Sequence, residues 1–175
     1  MHHGVNDSTD LSIREDSGGN EDSLWRILAA VIAEGDAYAL DATTTREEGL
    51  AFWYQPGARR YVAENAGRIV GAYFLRPNHP GRGSHVANAA YLVAAEARGK
   101  GVGRAMGEHS IIEARRLGYR AMQFNFVVST NERAVRLWES LGFEIVGRLP
   151  AAFRHPTHGY VDALVMYQQL LPTAG

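Results

Sequence analysis

The stretch Leu92–Ala105, which reads LVAAEARGKGVGRA, is the most informative part of this sequence. An apolar strand runs into a glycine-punctuated basic turn, and the turn opens a helix. Glycines let the backbone approach a ligand closely and expose successive N–H groups, while the first turn of a helix adds a partial positive charge. Full charges come from Arg98, Lys100 and Arg104. Together these features predict a cradle for a pyrophosphate.

Two other phosphate-binding motifs do not fit this stretch. The P-loop requires Gly-x-x-x-x-Gly-Lys-Ser/Thr, and no Ser or Thr follows a Gly-Lys pair in this chain. The dinucleotide fingerprint Gly-x-Gly-x-x-Gly requires a third glycine where Met106 stands. The pattern that fits is Arg/Gln-x-x-Gly-x-Gly, formed by Arg98, Gly101 and Gly103.

A second informative stretch, Asn131–Glu144, reads NERAVRLWESLGFE. Its spacing of three and four residues places one set of side chains on a single helical face: Asn131, Ala134, Trp138 and Leu141. Gly142 is a natural helix stop, and Phe143 begins an apolar strand. A helix and a strand separate this stretch from the glycine turn.

The glycine turn resembles the acetyl-CoA loop of the GNAT superfamily of N-acetyltransferases. The second stretch resembles the other signature of that superfamily, Asn-x-x-Ala-x-x-x-aromatic-x-x-x-Gly-Phe. The resemblance covers roughly residues 11–170. It implies the GNAT fold, an α/β (α+β) architecture with a central mixed, mostly antiparallel sheet of about seven strands, splayed between strands 4 and 5, and about four helices. It also implies acetyl-CoA as the cosubstrate.

Hydrophobic periodicity and turn signals predict the element order β-α-α-β-β-β-α-β-α-β-β without using those motifs. The predicted strands cover residues 11–14, 60–64, 68–75, 85–94, 119–128, 143–149 and 160–170. Helices are predicted at residues 23–34, between the capping boxes and Pro56, from the glycine turn to 117, and at 131–141. Thr44 and Thr45 each begin a capping-box pattern, so either can open the second helix.

Length and composition limit the classes to which the chain can belong. Its 175 residues predict one domain, residues 11–175, after a flexible segment, residues 1–10. A net charge of −1 without basic blocks disfavours nucleic-acid binding, and no apolar run approaches the ~18 residues of a membrane span. The absence of cysteine excludes disulfides and thiolate metal sites and favours a cytoplasmic location. No metal site is predicted, and a homodimer is left open.

The resemblance implies how the cosubstrate is held. Open N–H and C=O groups on the strand before the glycine turn would pair with the pantetheine arm as another strand would, and the amides of the turn would hold the pyrophosphate. Asn131 would reach the pantetheine region, although a capping box beginning at Ser129 explains this polar cluster as well. The predicted cofactor-binding residues are Leu92, Val93, Arg98, Gly99, Lys100, Gly101, Val102, Gly103, Arg104 and Asn131.

The usual general acid of the superfamily, a Tyr in the second signature, is replaced here by Trp138. An indole N–H donates hydrogen bonds but does not titrate as an acid. The reaction can proceed without that acid, because a thiol with a pKa of ~8.5 is a better leaving group than an alkyl amine with a pKa of ~10.4. Trp138 is interpreted either as part of the core or as a contact for the sulfur.

No general base is assigned from the sequence. Glu64, His85 and Glu96 are candidates, and each has a structural alternative, at a strand edge, in strand packing and in an exposed turn respectively. An ordered-water relay is an equal alternative. His109 falls on the apolar face of the helix after the glycine turn and is interpreted as a satisfied buried histidine rather than a catalyst.

Asn88 and Asn125 each interrupt an apolar strand. A buried amide is costly without a partner, so each either satisfies a local backbone group or holds the acceptor, since these strands flank the acetyl group in a GNAT fold. Segments at 84–91, 124–131 and 159–163 resemble the proline-analogue (azetidine-2-carboxylate) N-acetyltransferases. That resemblance implies acceptor roles for Asn88 and Asn125, the predicted catalytic residues, and a cofactor role for Asn131.

The predicted loop 151–159 joins the last two strands, where such folds often cover the acceptor. Its basic side chains could bind a carboxylate, which would suit an amino acid; the alternative is an exposed polar loop. These side chains are Arg154, His155 and His158.

The sequence thus predicts an acetyl-CoA-dependent N-acetyltransferase that transfers the acetyl group to the amine of a small molecule or amino acid by direct attack. One alternative is an N-acetyltransferase for a protein or peptide. Another is a non-catalytic acyl-CoA-binding regulatory module, which the missing Tyr keeps in consideration.

Overall fold

The computed structural model describes residues 10–172, so the predicted flexible segment 1–10 lies outside the described residues except for Asp10. The strands are β1 Leu11–Glu15, β2 Arg59–Asn65, β3 Arg68–Pro77, β4 Val86–Val93, β5 Ala121–Val128, β6 Glu144–His155 and β7 Gly159–Gln169. The helices are α1 Glu21–Glu34, α2 Arg46–Trp53, α3 Val102–Arg116 and α4 Glu132–Ser140. Short 3₁₀ turns lie at Gly81–Gly83 and Ala95–Ala97.

All seven strands form one sheet in the order β1-β2-β3-β4-β5-β7-β6. Only β4 and β5 are parallel, because α3 crosses between them, and the other neighbours are antiparallel. This sheet and the four helices confirm the predicted GNAT architecture. No helix in residues 10–172 has the length and apolar character to cross a bilayer.

The predicted splay between the fourth and fifth strands is present. β4 and β5 pair only from Val86 with Ala121 to Asn88 with Gln123, although both strands continue for five more residues. The Asn88 side chain closes the last pair, since its Nδ2 donates to the Gln123 carbonyl at 3.0 Å. Beyond that point the strands separate and leave an open gap.

A bulge in β5 explains the direction of this separation. The register of β5 with β7 shifts between Phe124 and Val127, where β5 has an extra residue. A bulge bends its strand and increases the local twist. Because the bulge follows the last pair with β4 directly, β5 turns away from β4 there.

The face of the sheet under α3 is filled by aromatic side chains. Tyr61, Tyr73 and Tyr91 lie on neighbouring strands, with ring centroids 4.7 Å apart for the first pair and 5.6 Å for the second. The Nδ1 of His109, on α3, lies 2.6 Å from the Tyr73 hydroxyl. Burial lowers the pKa of His109, and the negative charge of Glu113 opposes this shift. His109 is therefore hydrogen-bonded, as its position on the helix predicts, but it is half-buried at the edge of the core rather than fully buried.

Strand β6 runs to His155, further than the sequence predicts. Its register with β7 shifts between Leu149 and Phe153, where β6 has more residues than its partner. This irregularity interrupts the alternation of apolar and polar residues by which a strand is recognised. The predicted loop 151–159 is therefore wrong: its first part belongs to β6, and only 156–158 form the turn.

Asp162, on β7, holds this irregular part of β6. Its Oδ1 accepts the backbone N–H of Ala151 at 2.9 Å, and its Oδ2 accepts from Arg148 at 2.8 Å. Both interactions favour the charged carboxylate and lower the pKa of Asp162. Ala151 has a φ of 50°, a conformation that non-glycine residues rarely adopt, and its hydrogen bond to Asp162 helps to hold it there.

Of the two predicted capping boxes, only the one at Thr45 forms. Its side-chain oxygen accepts the N–H of Glu48 at 3.2 Å, and the Glu48 carboxylate accepts the N–H of Thr45 at 2.8 Å. Thr44 instead donates its hydroxyl to the Asp41 carbonyl at 2.6 Å, in the turn before the helix. Helix α2 therefore begins after Thr45.

Replacing Thr45 by Ala removes the N-cap of α2, and we expect it to lower the free energy of unfolding by about 1 kcal/mol. Thr44→Ala is the matched control, because it removes a peripheral hydrogen bond without touching the cap, and we expect a smaller loss. Urea denaturation of both variants measures the difference. Equal losses would contradict the assignment of Thr45 as the cap.

The pH dependence of stability tests the burial of His109. Its pKa is lower in the folded chain than the ordinary value of about 6.5, so the unfolded chain binds the proton more tightly. The stability contributed by neutral His109 is complete above about pH 6.5 and is lost as the pH falls toward the folded-state pKa. We expect His109→Gln, whose amide can still bond to Tyr73, to lose less stability between about pH 7.5 and pH 5.5 than the parent chain does.

The control for this measurement is His79→Gln, since His79 is exposed in the loop after β3. That variant should keep the full acid sensitivity of the parent chain in urea denaturation at both pH values. If His109→Gln also keeps it, the acid sensitivity arises elsewhere.

Candidate active site

Two cavities open at the gap between β4 and β5. The first, here the loop cavity, measures about 480 Å³ and is lined by the end of α1, the glycine turn and α4. The second, here the aromatic cavity, measures about 350 Å³ and is lined by β3, β4, β5 and the segment between α1 and α2. They meet at a junction, defined by the residues that line both: Ala37, Tyr38, Tyr91, Asn131, Ala134 and Trp138.

The glycine turn gives the loop cavity a row of free donors. Gly99 and Gly101 have φ values of 75° and 83°, which side chains other than glycine's rarely tolerate. Within the described residues, none of the backbone N–H groups from Gly99 to Arg104 donates a hydrogen bond to another residue. Four of these residues, Gly99, Gly101, Gly103 and Arg104, line the loop cavity at the N-terminal end of α3, an arrangement that favours an anion.

The basic residues of the turn have different surroundings. Arg98 forms an ion pair with Glu34 of α1 at 2.8 Å, and Arg104 donates to the Ser140 hydroxyl at 2.8 Å. Both line the loop cavity, whereas Lys100 is exposed and does not. Arg133 also lines it, and its guanidinium lies beside Gly99. The sequence pattern assigned no such role to Arg133.

The two cofactor-binding residues predicted on β4, Leu92 and Val93, point their backbone groups in opposite directions. Ala94 donates its N–H to Val70 of β3, and successive residues of a strand point their backbone groups to opposite neighbours. Leu92 therefore faces β3, and its side chain is buried. Val93 faces the gap and lines the loop cavity. The Val102 side chain is in the core, so at this residue only the backbone can serve the cavity.

Tyr38 occupies the gap at the junction. Its hydroxyl donates to the backbone carbonyl of Tyr91 at 2.6 Å, which satisfies an acceptor that β5 has left open. Burial raises the pKa of Tyr38 well above the ordinary value, so the hydroxyl stays protonated at neutral pH. No sequence pattern indicates this contact, because Tyr38 lies in an irregular segment far from β4 in the chain.

Asn131 is both a helix cap and a junction residue. Its Oδ1 accepts the N–H of Ala134 at 3.3 Å, so Asn131 and not Ser129 caps α4. Its Nδ2 makes no hydrogen bond within residues 10–172 and is available to a ligand. Asn131 itself is therefore the cap and the predicted capping box at Ser129 is wrong, while the cofactor role of Asn131 stays a prediction.

Trp138 likewise belongs to the core and to the junction. Its ring centroid lies 4.7 Å from that of Tyr91 and 4.7 Å from that of Phe124. The side chain is buried, yet it lines both cavities. Its contacts with the rings of Tyr91 and Phe124 hold the Trp138 side chain in one wall of the junction.

The two predicted catalytic asparagines both line the aromatic cavity, but only Asn88 is buried. Asn125 is exposed, because the β5 bulge carries it to the cavity rim. Its Nδ2 donates to the Asn78 side chain at 2.7 Å, and its Oδ1 accepts from Gln123 at 2.9 Å. The expectation of a buried amide is thus wrong for Asn125. Asn88 donates its Nδ2 to the Gln123 carbonyl where β4 and β5 separate, and its Oδ1 accepts no hydrogen bond from residues 10–172.

None of the three candidate bases lines either cavity. Glu64 pairs with Arg14 at 3.1 Å, and Glu96 pairs with Arg26 at 3.1 Å. His85 is exposed at the start of β4. These positions are wrong for proton transfer at the junction.

The basic residues of the β6–β7 hairpin also lie outside both cavities. Arg154 is exposed and lowers the pKa of Asp41, after the larger effect of hydrogen bonds from Thr43. His155 accepts backbone N–H groups of the turn, that of His158 at 3.2 Å among them. In residues 10–172 no cluster of three or more metal-ligating side chains occurs.

The aromatic cavity contains one strong polar group that the sequence pattern did not reveal. Arg76 lines it, from a position near the end of β3. Its Nη1 donates to the Gln55 side chain, while its Nε is buried without a hydrogen-bond partner. In the sequence, a single arginine among apolar strand residues looks like any residue at the edge of a strand. Its place in the lining of the cavity is therefore visible only in the fold.

Comparison with known proteins gives a consistent result. A model described as "Acetyltransferase (GNAT) family" matches residues 28–143. The N-acetyltransferase aca1 of Schizosaccharomyces pombe is 33% identical over 159 residues, which cover 81% of this chain and 76% of the yeast protein.

Two solved structures agree with this match. A GCN5-related N-acetyltransferase from Kribbella flavida is 43% identical, with a TM-score of 0.87 over 92% of this chain and 98% of that one. The acetyltransferase yncA of Salmonella typhimurium, solved with acetyl-CoA, has a TM-score of 0.82 at 24% identity over 95% and 98% of the two chains, and it supports the fold alone. The chain belongs to the GNAT family and is an acetyl-CoA-dependent acetyltransferase.

Proposed function

We propose that this enzyme acetylates the amine of a small molecule or amino acid that binds in the aromatic cavity. The observation that carries the proposal is the junction, where a compact cavity of about 350 Å³ meets the loop cavity through the gap in the sheet. The segment between α1 and α2 closes over this cavity and is tied to β4 by the bond from Tyr38. A pocket of this kind suits a small acceptor better than a peptide.

The loop cavity fits acetyl-CoA on the observation of its free donors. The N–H groups from Gly99 to Arg104 would hold the pyrophosphate, with Arg98, Arg104 and Arg133 contributing positive charge. The backbone of Val93 and the Nδ2 of Asn131 would hold the pantetheine arm. When bound, acetyl-CoA supplies a thioester whose carbonyl carbon can be attacked directly by an amine.

Direct transfer forms a C–N bond and breaks the C–S bond, so the amine loses a proton and the thiolate gains one. Within the described residues no Asp, Glu or His lines the aromatic cavity. We therefore assign the proton from the amine to solvent in the cavity mouth. Tyr38 and Trp138 position the junction, and Asn88 Oδ1 and the Asn125 amide orient the acceptor.

The narrower resemblance to proline-analogue acetyltransferases belongs to this proposal, and it makes proline and azetidine-2-carboxylate candidate acceptors. Thiol release from acetyl-CoA, measured over a panel of amino acids, simple amines and short peptides, tests it. Turnover of small amines supports the proposal. Turnover of peptides alone favours the peptide alternative, and tight acetyl-CoA binding without turnover favours the binding module.

Gly103→Val tests the position of acetyl-CoA. A β-carbon at this residue would contact Leu137 and Val93 at 3.6 and 3.8 Å, so the extra methyl groups of valine would enter the cavity wall. The added methyl groups would displace the pyrophosphate from at least one backbone donor. We therefore expect the affinity for acetyl-CoA, measured by titration calorimetry, to fall by about 10- to 100-fold, the effect of one lost charge-assisted hydrogen bond.

Gly147→Val is the control for this variant. Its β-carbon would meet Val165 at 3.6 Å, a similar contact, but in the β6–β7 hairpin away from both cavities. It should bind acetyl-CoA like the parent chain. Unchanged binding by Gly103→Val would refute the placement of the pyrophosphate.

Asn125→Ala tests the acceptor side of the junction. Because Asn125 lines only the aromatic cavity, we expect kcat/KM for the acceptor to fall about 10-fold while the acetyl-CoA affinity changes less than about twofold. Steady-state kinetics and calorimetry measure the two quantities. Parallel losses in both would argue against an acceptor role.

A further inference from the structure

Arg76 carries a charge that nothing in its surroundings balances. It is the only formally charged residue among the described residues that line the aromatic cavity. Its one hydrogen bond is to the neutral side chain of Gln55, and its buried Nε has no partner. No carboxylate in residues 10–172 forms an ion pair with it. A partly buried cation of this kind is costly unless a ligand completes its bonding.

Arg76 lines the aromatic cavity on β3, whose neighbour β4 carries the junction residue Tyr91. Arg76 pairs with Asn88 across β3 and β4, and Phe74 pairs with Ala90. The guanidinium carbon lies 5.9 Å from the centroid of the Phe74 ring. Arg76 therefore shares a face of β3 with Phe74, and its cross-strand partner Asn88 lies three residues before the junction residue Tyr91 on β4. Adjacent strand residues are separated by about 3.3 Å along the strand.

Apart from its asparagines, the lining of the cavity is mostly apolar and aromatic. The apolar lining comes from four parts of the fold, the segment between α1 and α2, α2 itself, β3 and β5: Leu40, Phe52, Phe74, Phe126 and Val127. The ring of Phe52 lies 6.2 Å from Tyr38 and 6.1 Å from Phe74, and both contacts are edge-to-face. The cavity thus offers one positive charge beside an apolar box.

Building on the proposed function, we propose that Arg76 binds the carboxylate of the acceptor, which is an α-amino or α-imino acid with an apolar side chain. A guanidinium presents parallel N–H donors that match a carboxylate, and one positive charge balances one negative charge. The amine of such an acid is two bonds from the carboxyl carbon, so anchoring the carboxylate beside Phe74 brings the nitrogen toward the junction. The apolar side chain then contacts the aromatic wall.

Matched acceptors with and without the carboxylate test this assignment. Leucine is compared with isoamylamine, and proline with pyrrolidine, by thiol release from acetyl-CoA. We expect the parent enzyme to prefer the acid by about 10- to 100-fold in kcat/KM, the effect of a hydrogen-bonded ion pair. Arg76→Met, which keeps the side-chain length, should abolish this preference while retaining activity on the amine. That activity also shows that the variant is folded.

Arg154→Met is the matched control, because Arg154 was the basic residue predicted to bind a carboxylate and lies outside both cavities. It should keep the preference of the parent enzyme. The assignment is overturned if the parent enzyme prefers the amines, if Arg76→Met loses both activities equally while its urea denaturation is normal, or if Arg154→Met abolishes the preference. Arg76→Lys, which keeps the charge without the paired donors, should retain part of the preference.

A binding measurement separates this inference from the proposed function. N-acetyl-leucine and N-isoamylacetamide are titrated by calorimetry into the protein saturated with coenzyme A. Selective binding of the acid by the parent chain, lost in Arg76→Met, supports the carboxylate site even if no amine is turned over. Absence of turnover would then refute only the proposed function, whereas equal or absent binding of the two compounds would refute the role of Arg76.

Discussion

The parallel pairing of β4 and β5 ends at Asn88 and Gln123, and the site exists because it ends there. One side-chain hydrogen bond from Asn88 closes the last pair, and a bulge in β5 directly beyond it bends that strand away. The main-chain groups of β4 that face β5 are left without a strand partner. Unpaired backbone groups inside a protein are costly, and the fold satisfies one of them, the Tyr91 carbonyl, with the Tyr38 hydroxyl.

The two cavities at this gap differ in the charge that they accept. The loop cavity gathers backbone donors and three arginines, two of which already contact Glu34 or Ser140. It is built for a multiply charged group. The aromatic cavity presents one guanidinium and three asparagine side chains within largely apolar walls. Under the proposed function, the pyrophosphate of acetyl-CoA binds in the loop cavity and a small acid binds in the aromatic cavity.

The sequence predicted those features that depend on local chemistry. The glycine turn needs residues that adopt positive φ, and the helix after β5 needs a cap, so Gly99, Gly101 and Asn131 are visible in the sequence. The end of β6 was predicted wrongly, because its irregular register hides the period-two pattern on which recognition of a strand depends. Asn125 was predicted to be buried for the same reason, since a bulge moves it to a rim.

Residues brought to the site by distant contacts were not predictable from one sequence. Tyr38 is in an irregular segment, and its partner is a backbone carbonyl, which has no residue type to recognise. Arg76 is unusual only because its surroundings contain no negative charge, and those surroundings come from α1–α2, β3, β4 and β5 together. The candidate bases illustrate the reverse case, since Glu64 and Glu96 have suitable chemistry but lie in ion pairs away from the junction.

The two cavities meet at the junction but are otherwise lined by different residues, and this arrangement determines the steady-state kinetic pattern that we expect. Under the proposed function, donor and acceptor occupy the enzyme together, and the chain contains no cysteine that could carry an acyl group between two half-reactions. Double-reciprocal plots at several fixed donor concentrations should therefore intersect rather than run parallel, because the turnover proceeds through a ternary complex.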